Sequence, residues 1–162
     1  MPALRIAGIG AGYFSRFHLE GWRAIADVEI AAWCDTDQAR LEAMAAEFGI
    51  AQTYNDAAAM LDAIKPDLVD IVTPPPAHAA LVALVHARGI PVICQKPLTP
   101  SWTESVALAD AVDRAGVLCV VHENFRFQPW YREAKRLLVA GDLGTPHAVA
   151  FRLRPGDGQG PA

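Results

Sequence analysis

Cysteine is scarce in this 162-residue chain, long apolar runs are missing, and positive charge is nowhere concentrated. The three cysteines, Cys34, Cys94 and Cys119, are odd in number, far apart and each set in a strand-like apolar run. That pattern argues against a disulfide framework or a metal knuckle and for buried thiols in a reducing compartment, so a cytoplasmic protein is expected. No apolar stretch reaches the length of a membrane span, and the opening "MPALRIAGIG" lacks a charged leader followed by an apolar core. Neither export nor membrane insertion is therefore expected. The formal net charge is −4, with lysines and arginines scattered, which leaves no basic stripe for nucleic acid or an anionic membrane. A small-molecule partner is the default. The 52% hydrophobic content excludes global disorder.

What is present is alternation. Short apolar runs, "LRIAGI", "VEIAAWC", "LVDIVT", "PVIC" and "VLCVV", are separated by segments of helical length and periodicity, and a short "QTY" adds an edge strand. The last helix is "PWYREAKRLLVA". A β-α-β alternation whose strands are apolar throughout implies an α/β fold, a doubly wound parallel sheet of six strands buried on both faces. Its ligand crevice would lie at the carboxyl ends of the strands. Asp56, Ser101 and either Asp35 or Thr36 are candidate helix N-caps, and Gly49, Gly89, Gly116 and Gly141 candidate stops.

The first strand runs into "GIGAGYFS", in which Gly10, Gly12 and Ser15 form a G-x-G-x-x-S turn. Gly10 permits the tight turn and Gly12 lets backbone approach a pyrophosphate at the following helix N-terminus. The second strand ends in Asp35, placed to accept from ribose hydroxyls and to repel a 2′-phosphate, which favours NAD over NADP. "VICQKPLTP" then puts Lys96 and Pro97 at the end of a buried strand, where an amine serves either as a solvated surface group or as a donor in the crevice.

Together with "DIVTPPPAHAALV" and "ENFRFQPWYREAKRLLVAGDLG", these stretches resemble the Gfo/Idh/MocA oxidoreductases from Leu4 to about Leu153. The resemblance implies a Rossmann domain over residues 1–144 and, in 145–162, the start of a truncated substrate domain whose catalytic histidine this chain lacks. The isolated chain would then be inactive. It implies hydride transfer between NAD and a sugar, polyol or related alcohol. Gly10, Gly12, Tyr13, Phe14 and Ser15 would form the pyrophosphate turn, with Asp35 on the ribose. Thr73, Pro74 and His78 would line the cofactor, as would Gln95, Lys96 and Pro97. Lys96 would be catalytic, matching the lysine of an E-K-P motif that often carries a cis bond before proline. Asn124 and Arg126 would border the substrate. The departure is Gln95, where relatives usually have glutamate, and losing that carboxylate touches the acid-base role of Lys96 more than binding. A non-catalytic NAD-binding regulatory module remains an alternative.

His18, His86 and His147 read as structural or solvated, His122 as no metal ligand, and Trp102 and Trp130 as packing residues. In "HAVAFRLR", Val149, Phe151 and Leu153 alternate with Ala150, Arg152 and Arg154, which predicts a strand with one apolar face. Such an edge would pair with a second copy or fray, and a homo-oligomer is expected.

Overall fold

The apolar runs become six strands of one sheet because each has too little polar surface to lie against water on either face. A computed structural model describes residues 2–152. Strands and helices alternate as β1 (Leu4–Ile9), α1 (Ser15–Arg23), β2 (Val28–Cys34), α2 (Gln38–Phe48), β3 (Thr53–Tyr54), α3 (Ala57–Ile64), β4 (Leu68–Ile71), α4 (His78–His86), β5 (Val92–Gln95), α5 (Trp102–Ala115), β6 (Cys119–His122) and α6 (Pro129–Ala140). Every pairing is parallel and the strand order is β3-β2-β1-β4-β5-β6. The order reverses between β1 and β4, so the crevice of a doubly wound sheet opens there.

Strand periodicity divides the core. Ala7, Ile9, Val69, Ile71, Val92 and Cys94 are buried with apolar residues of α3, α4 and α5. Ile6 and Trp33 are buried with residues of α1 and α2, among them Leu19 and Leu41, both fully buried. Truncating either leucine to alanine costs about 2–5 kcal/mol. Asp70 alternates with Val69 and Ile71 and so faces the α1 side, as do Ile93 and Gln95 one strand away and His122 beside Gln95.

Side-chain caps begin three of the helices. Asp56 and Ser101 cap α3 and α5 as expected, accepting from Ala59 N–H and Glu104 N–H. The cap of α2 is Asp37, not Asp35 or Thr36, because the Asp35 carboxylate turns back to the Ala11 and Asp37 N–H groups. Gly49, Gly116 and Gly141 end their helices in the left-handed region, whereas α4 ends at Ala87 and Gly89 follows two residues later.

The chain divides into two compact units, Met1–Glu123 and a second that begins at Asn124. The second holds a 3-10 turn, Asn124–Phe127, and α6. Within it Tyr131 lies 6.0 Å from both Trp130 and Phe151, ring centre to ring centre. The strand expected in "HAVAFRLR" does not form over residues 146–152, and Leu153 falls outside the described residues. Period-2 alternation supplies a face but no partner strand, and Val149 and Phe151 stand exposed. Trp102 and Trp130 are also exposed, at 82% and 62%, so they do not pack as expected. Among the described residues no helix is long and apolar enough to cross a membrane, and no three metal-ligating side chains cluster.

Candidate cofactor and catalytic site

The glycine turn closes the carboxyl end of β1 by specific bonds. Gly10 holds φ at +109°, and a Cβ there would lie 2.6 Å from the Val72 carbonyl oxygen, so only glycine fits between β1 and the end of β4. The Gly10 carbonyl accepts from the Ser15 hydroxyl at 2.7 Å and from the Trp33 indole N–H at 2.6 Å. Ser15 is fully buried, so it braces the turn from inside and has no hydroxyl left for a pyrophosphate. Trp33 reaches across the neighbouring strand over Gly8, where a Cβ would sit 2.3 Å from the ring. Gly12 is different, since a Cβ there meets no atom of the described residues within 4 Å. Space beside its backbone at the start of α1 is what a pyrophosphate requires.

Asp35 stands at the end of β2, half-buried. One carboxylate oxygen accepts from Ala11 N–H and the other from Asp37 N–H at 2.7 Å, which ties β2 to the glycine turn and keeps the carboxylate at the crevice. A cleft of about 520 Å³ opens from these residues between Asp35, Asp56 and Thr73. Its other charged groups are Asp37 and Arg40, paired at 2.9 Å. The Arg40 N–H and then its guanidinium hold the Asp37 carboxyl below the usual carboxylate range. Thr73 Oγ1 in the cleft wall is buried with no partner among the described residues, and a ligand hydroxyl or amide would satisfy it. An open Gly12, an orphaned Thr73 hydroxyl and an acid at the end of β2 fit a dinucleotide.

His78 proves to be a tie. It is fully buried, with Nδ1 3.0 Å from the Leu98 carbonyl oxygen and Nε2 2.7 Å from that of Thr73. With both nitrogens occupied it has no polar atom for a cofactor, and it joins the β4 end, with exposed Pro74, to the loop after Lys96. That loop carries the cis Lys96–Pro97 bond. The half-buried Lys96 places Nζ 5.7 Å from the centre of the Phe14 ring, at the first turn of α1. Tyr13, edge-on to both Phe14 and Phe17, forms an exposed aromatic cluster with them around this point. The structure thus brings Gly12, Phe14 and Lys96 to one edge of the sheet. Gln95 faces the other way, 8% exposed beneath the lysine. Asn124, whose buried Oδ1 has no partner among the described residues, and Arg126, over the Phe127 ring at 5.5 Å, lie on the 3-10 turn of the second unit.

Of the three histidines read as structural or solvated, two are buried and so fall on the structural side rather than on an element's surface. His18 is 8% exposed and bonded to Asp70, and His86 is 9% exposed with Nε2 unpartnered among the described residues; His147 is exposed. His122 packs edge-on against His18 at 4.4 Å, and burial, with the neighbouring His18 as the second cause, pushes its pKa down. The readable signal for His18 was Asp70, a lone acid inside the apolar run "LVDIV" that needs a buried donor.

A family described as "Oxidoreductase family, NAD-binding Rossmann fold" matches residues 4–123. A D-apiose dehydrogenase of Paraburkholderia graminis is 48% identical over 146 residues, covering 89% of this chain and 39% of the relative. A scyllo-inositol 2-dehydrogenase (NAD(+)) of Bacillus subtilis is 32% identical over 144 residues, 88% of this chain and 42% of the relative. A crystal structure of an oxidoreductase from Agrobacterium radiobacter, in complex with NAD+, L-tartaric acid and magnesium, superposes with a TM-score of 0.85 at 38% identity, covering 88% of this chain and 42% of that one. This chain therefore spans about two fifths of the length of these relatives. Fold, glycine turn and match agree: the chain belongs to the Gfo/Idh/MocA oxidoreductase family, with its NAD-binding Rossmann fold.

Proposed function

We propose that this chain is the cofactor-binding part of a dehydrogenase that moves hydride between NAD and an alcohol carbon of a sugar or polyol. The observation that carries the reading is the convergence of the open Gly12 backbone, the orphaned Thr73 hydroxyl and the Lys96 amine on the carboxyl edge of β1, β4 and β5. NAD, when bound, supplies the hydride acceptor. Backbone N–H groups at Gly12, Tyr13 and Phe14 hold its pyrophosphate, Asp35 its ribose hydroxyls, and Thr73 and Pro74 flank it. Asp35, Asp37 and Asp56 line the cleft against the single cation Arg40, and that excess of negative charge disfavours the 2′-phosphate of NADP.

Lys96 binds the alcohol oxygen of the substrate and moves a proton at that atom as the carbonyl forms. The resemblance supports a substrate-side role for Asn124 and Arg126. The resemblance to apiose and inositol dehydrogenases supports a polyhydroxylated substrate. Unpaired cysteines support a cytoplasmic setting, and exposed Val149 and Phe151 support association of copies of the protein. Calorimetry of the 162-residue chain with NAD and with NADP tests the reading. Tighter binding of NAD is expected, and equal affinities, or none, would overturn it.

A further inference from the structure

We infer that Asp70, His18 and Gln95 form a positioning chain that fixes the backbone at Lys96 while insulating the lysine from the buried Asp70–His18 pair. It rests on the reading of Lys96 as the residue at the reacting oxygen. The direction of each bond follows from one group that only donates. Lys96 N–H lies 2.7 Å from Gln95 Oε1, so the amide oxygen of Gln95 faces it. Gln95 Nε2 then points at His18 Nε2, 3.0 Å away, and because an amide nitrogen donates, that ring nitrogen must accept. A neutral ring with Nε2 bare carries its proton on Nδ1, which lies 2.9 Å from Asp70 Oδ2. Trp22 donates its indole N–H to the same oxygen at 2.6 Å.

Only this tautomer satisfies all three bonds from Lys96 N–H to Asp70. A second ring proton on His18 would oppose the Gln95 NH₂, and turning the amide over would set that NH₂ against Lys96 N–H. Asp70 is fully buried, and His18 and Gln95 are 8% exposed, so direct bonds hold the arrangement. The chain crosses from α1 to β4 and β5. On the β6 side the facing group is His122, edge-on to the ring. Asp70 and His122 also line a pocket of about 250 Å³ and keep Oδ1 and Nδ1 without a partner among the described residues, which gives water room there.

Gln95 is the decisive member, since its amide neither loses nor takes a proton and so ends any relay from Asp70 and His18. Glutamate in its place would accept from a His18 Nε2–H and draw a second proton onto the ring, while still accepting from Lys96 N–H.

Nitrogen-15 NMR of the cofactor-free 162-residue chain at about pH 7.5, where histidine states are readily separated, tests the chain together with amide exchange at Lys96. In the parent, His18 carries one proton, on Nδ1. In Gln95→Glu both ring nitrogens are protonated and Lys96 N–H stays protected. In Gln95→Leu, Lys96 N–H exchanges about tenfold faster, as losing a single bond of ordinary strength requires. A parent His18 protonated on Nε2, a Gln95→Glu ring left with one proton, or unchanged Lys96 exchange in Gln95→Leu would overturn the inference. If Gln95→Leu does not fold, the first two measurements decide. NAD titration of the same samples reports on the cofactor reading alone, so each can fail without the other.

Discussion

Replacing Gly12 by alanine separates ligand binding from folding at the glycine turn. A methyl at Gly12 enters open space, with no atom of the described residues within 4 Å. In the free protein it therefore touches nothing, and the loss of glycine's freedom in the unfolded chain stabilises by about 0.4–1 kcal/mol where the native backbone suits alanine. The same methyl occupies the approach that a pyrophosphate needs. Losing one charge-assisted bond from backbone to phosphate costs about 1.5–3 kcal/mol, a weakening of NAD binding by roughly ten- to a hundredfold. Gly10→Ala gives the opposite pattern. Its methyl would lie 2.6 Å from the Val72 carbonyl oxygen at φ +109°, and backbone strain alone costs about 1–3 kcal/mol before the clash is relieved. Urea unfolding followed by tryptophan fluorescence gives the stabilities, and calorimetry gives the NAD affinities. A Gly12→Ala protein that binds NAD as well as the parent would refute the assignment of this turn. One destabilised by more than about 2 kcal/mol would refute the claim that the space is open.

Asp35→Ala should weaken NAD binding and narrow the gap to NADP, and it should cost about 1–3 kcal/mol of stability by leaving Ala11 N–H without its acceptor; parallel titrations with both nucleotides check it. Lys96→Met, in a protein that carries the substrate-binding remainder, should lower kcat by about 10²–10⁴ with little change in NAD affinity, and steady-state kinetics with unchanged kcat would return the lysine to a surface role. His78→Leu should destabilise the chain by about 1–3 kcal/mol, because the carbonyl, of Thr73 or of Leu98, that accepts the ring N–H loses its donor, and thermal unfolding reads this directly. Burial, reinforced by Asp35, raises Cys34 from 9.0 to about 11, and burial raises Cys94 to about 12. The unfolded chain releases these protons first, so stability held in full below pH 9 should fall as pH rises from 9 toward 11, which circular dichroism across an alkaline titration measures.

The elements that were legible in the sequence are those whose cause is local. Apolar runs of four to seven residues between helix-period segments specify a parallel sheet whatever their partners, and Gly10, Gly12 and Asp35 announce a nucleotide crevice because their spacing belongs to one strand-turn-helix-strand unit. Other features depended on residues distant in sequence. Gly8 looks like one more small residue in "GIGAG" until the Trp33 ring, on the next strand, needs the room. His18 sits at an amphipathic position of α1, and its burial follows from Asp70, 52 residues later. "HAVAFRLR" shows the same dependence, since alternation marks a face and is silent on whether another strand lies beside it.

The long-range contacts share a logic. The Gly10 carbonyl is held by Ser15 and Trp33, Ala11 N–H by Asp35, the Thr73 and Leu98 carbonyls by His78, and Lys96 N–H by Gln95. Each of these backbone segments at the crevice is thus bonded to a side chain that holds it in place. The groups offered to a ligand, the Gly12 backbone, the Thr73 hydroxyl in the cleft wall and the Lys96 amine, are mounted on segments already fixed. A ligand arriving there need not order the loops it touches, and the entropy of arranging them is lost in folding rather than in binding. Mutations to the bracing residues should therefore weaken binding through misplacement of the crevice, with Ser15, Trp33 and His78 acting on the cofactor without touching it.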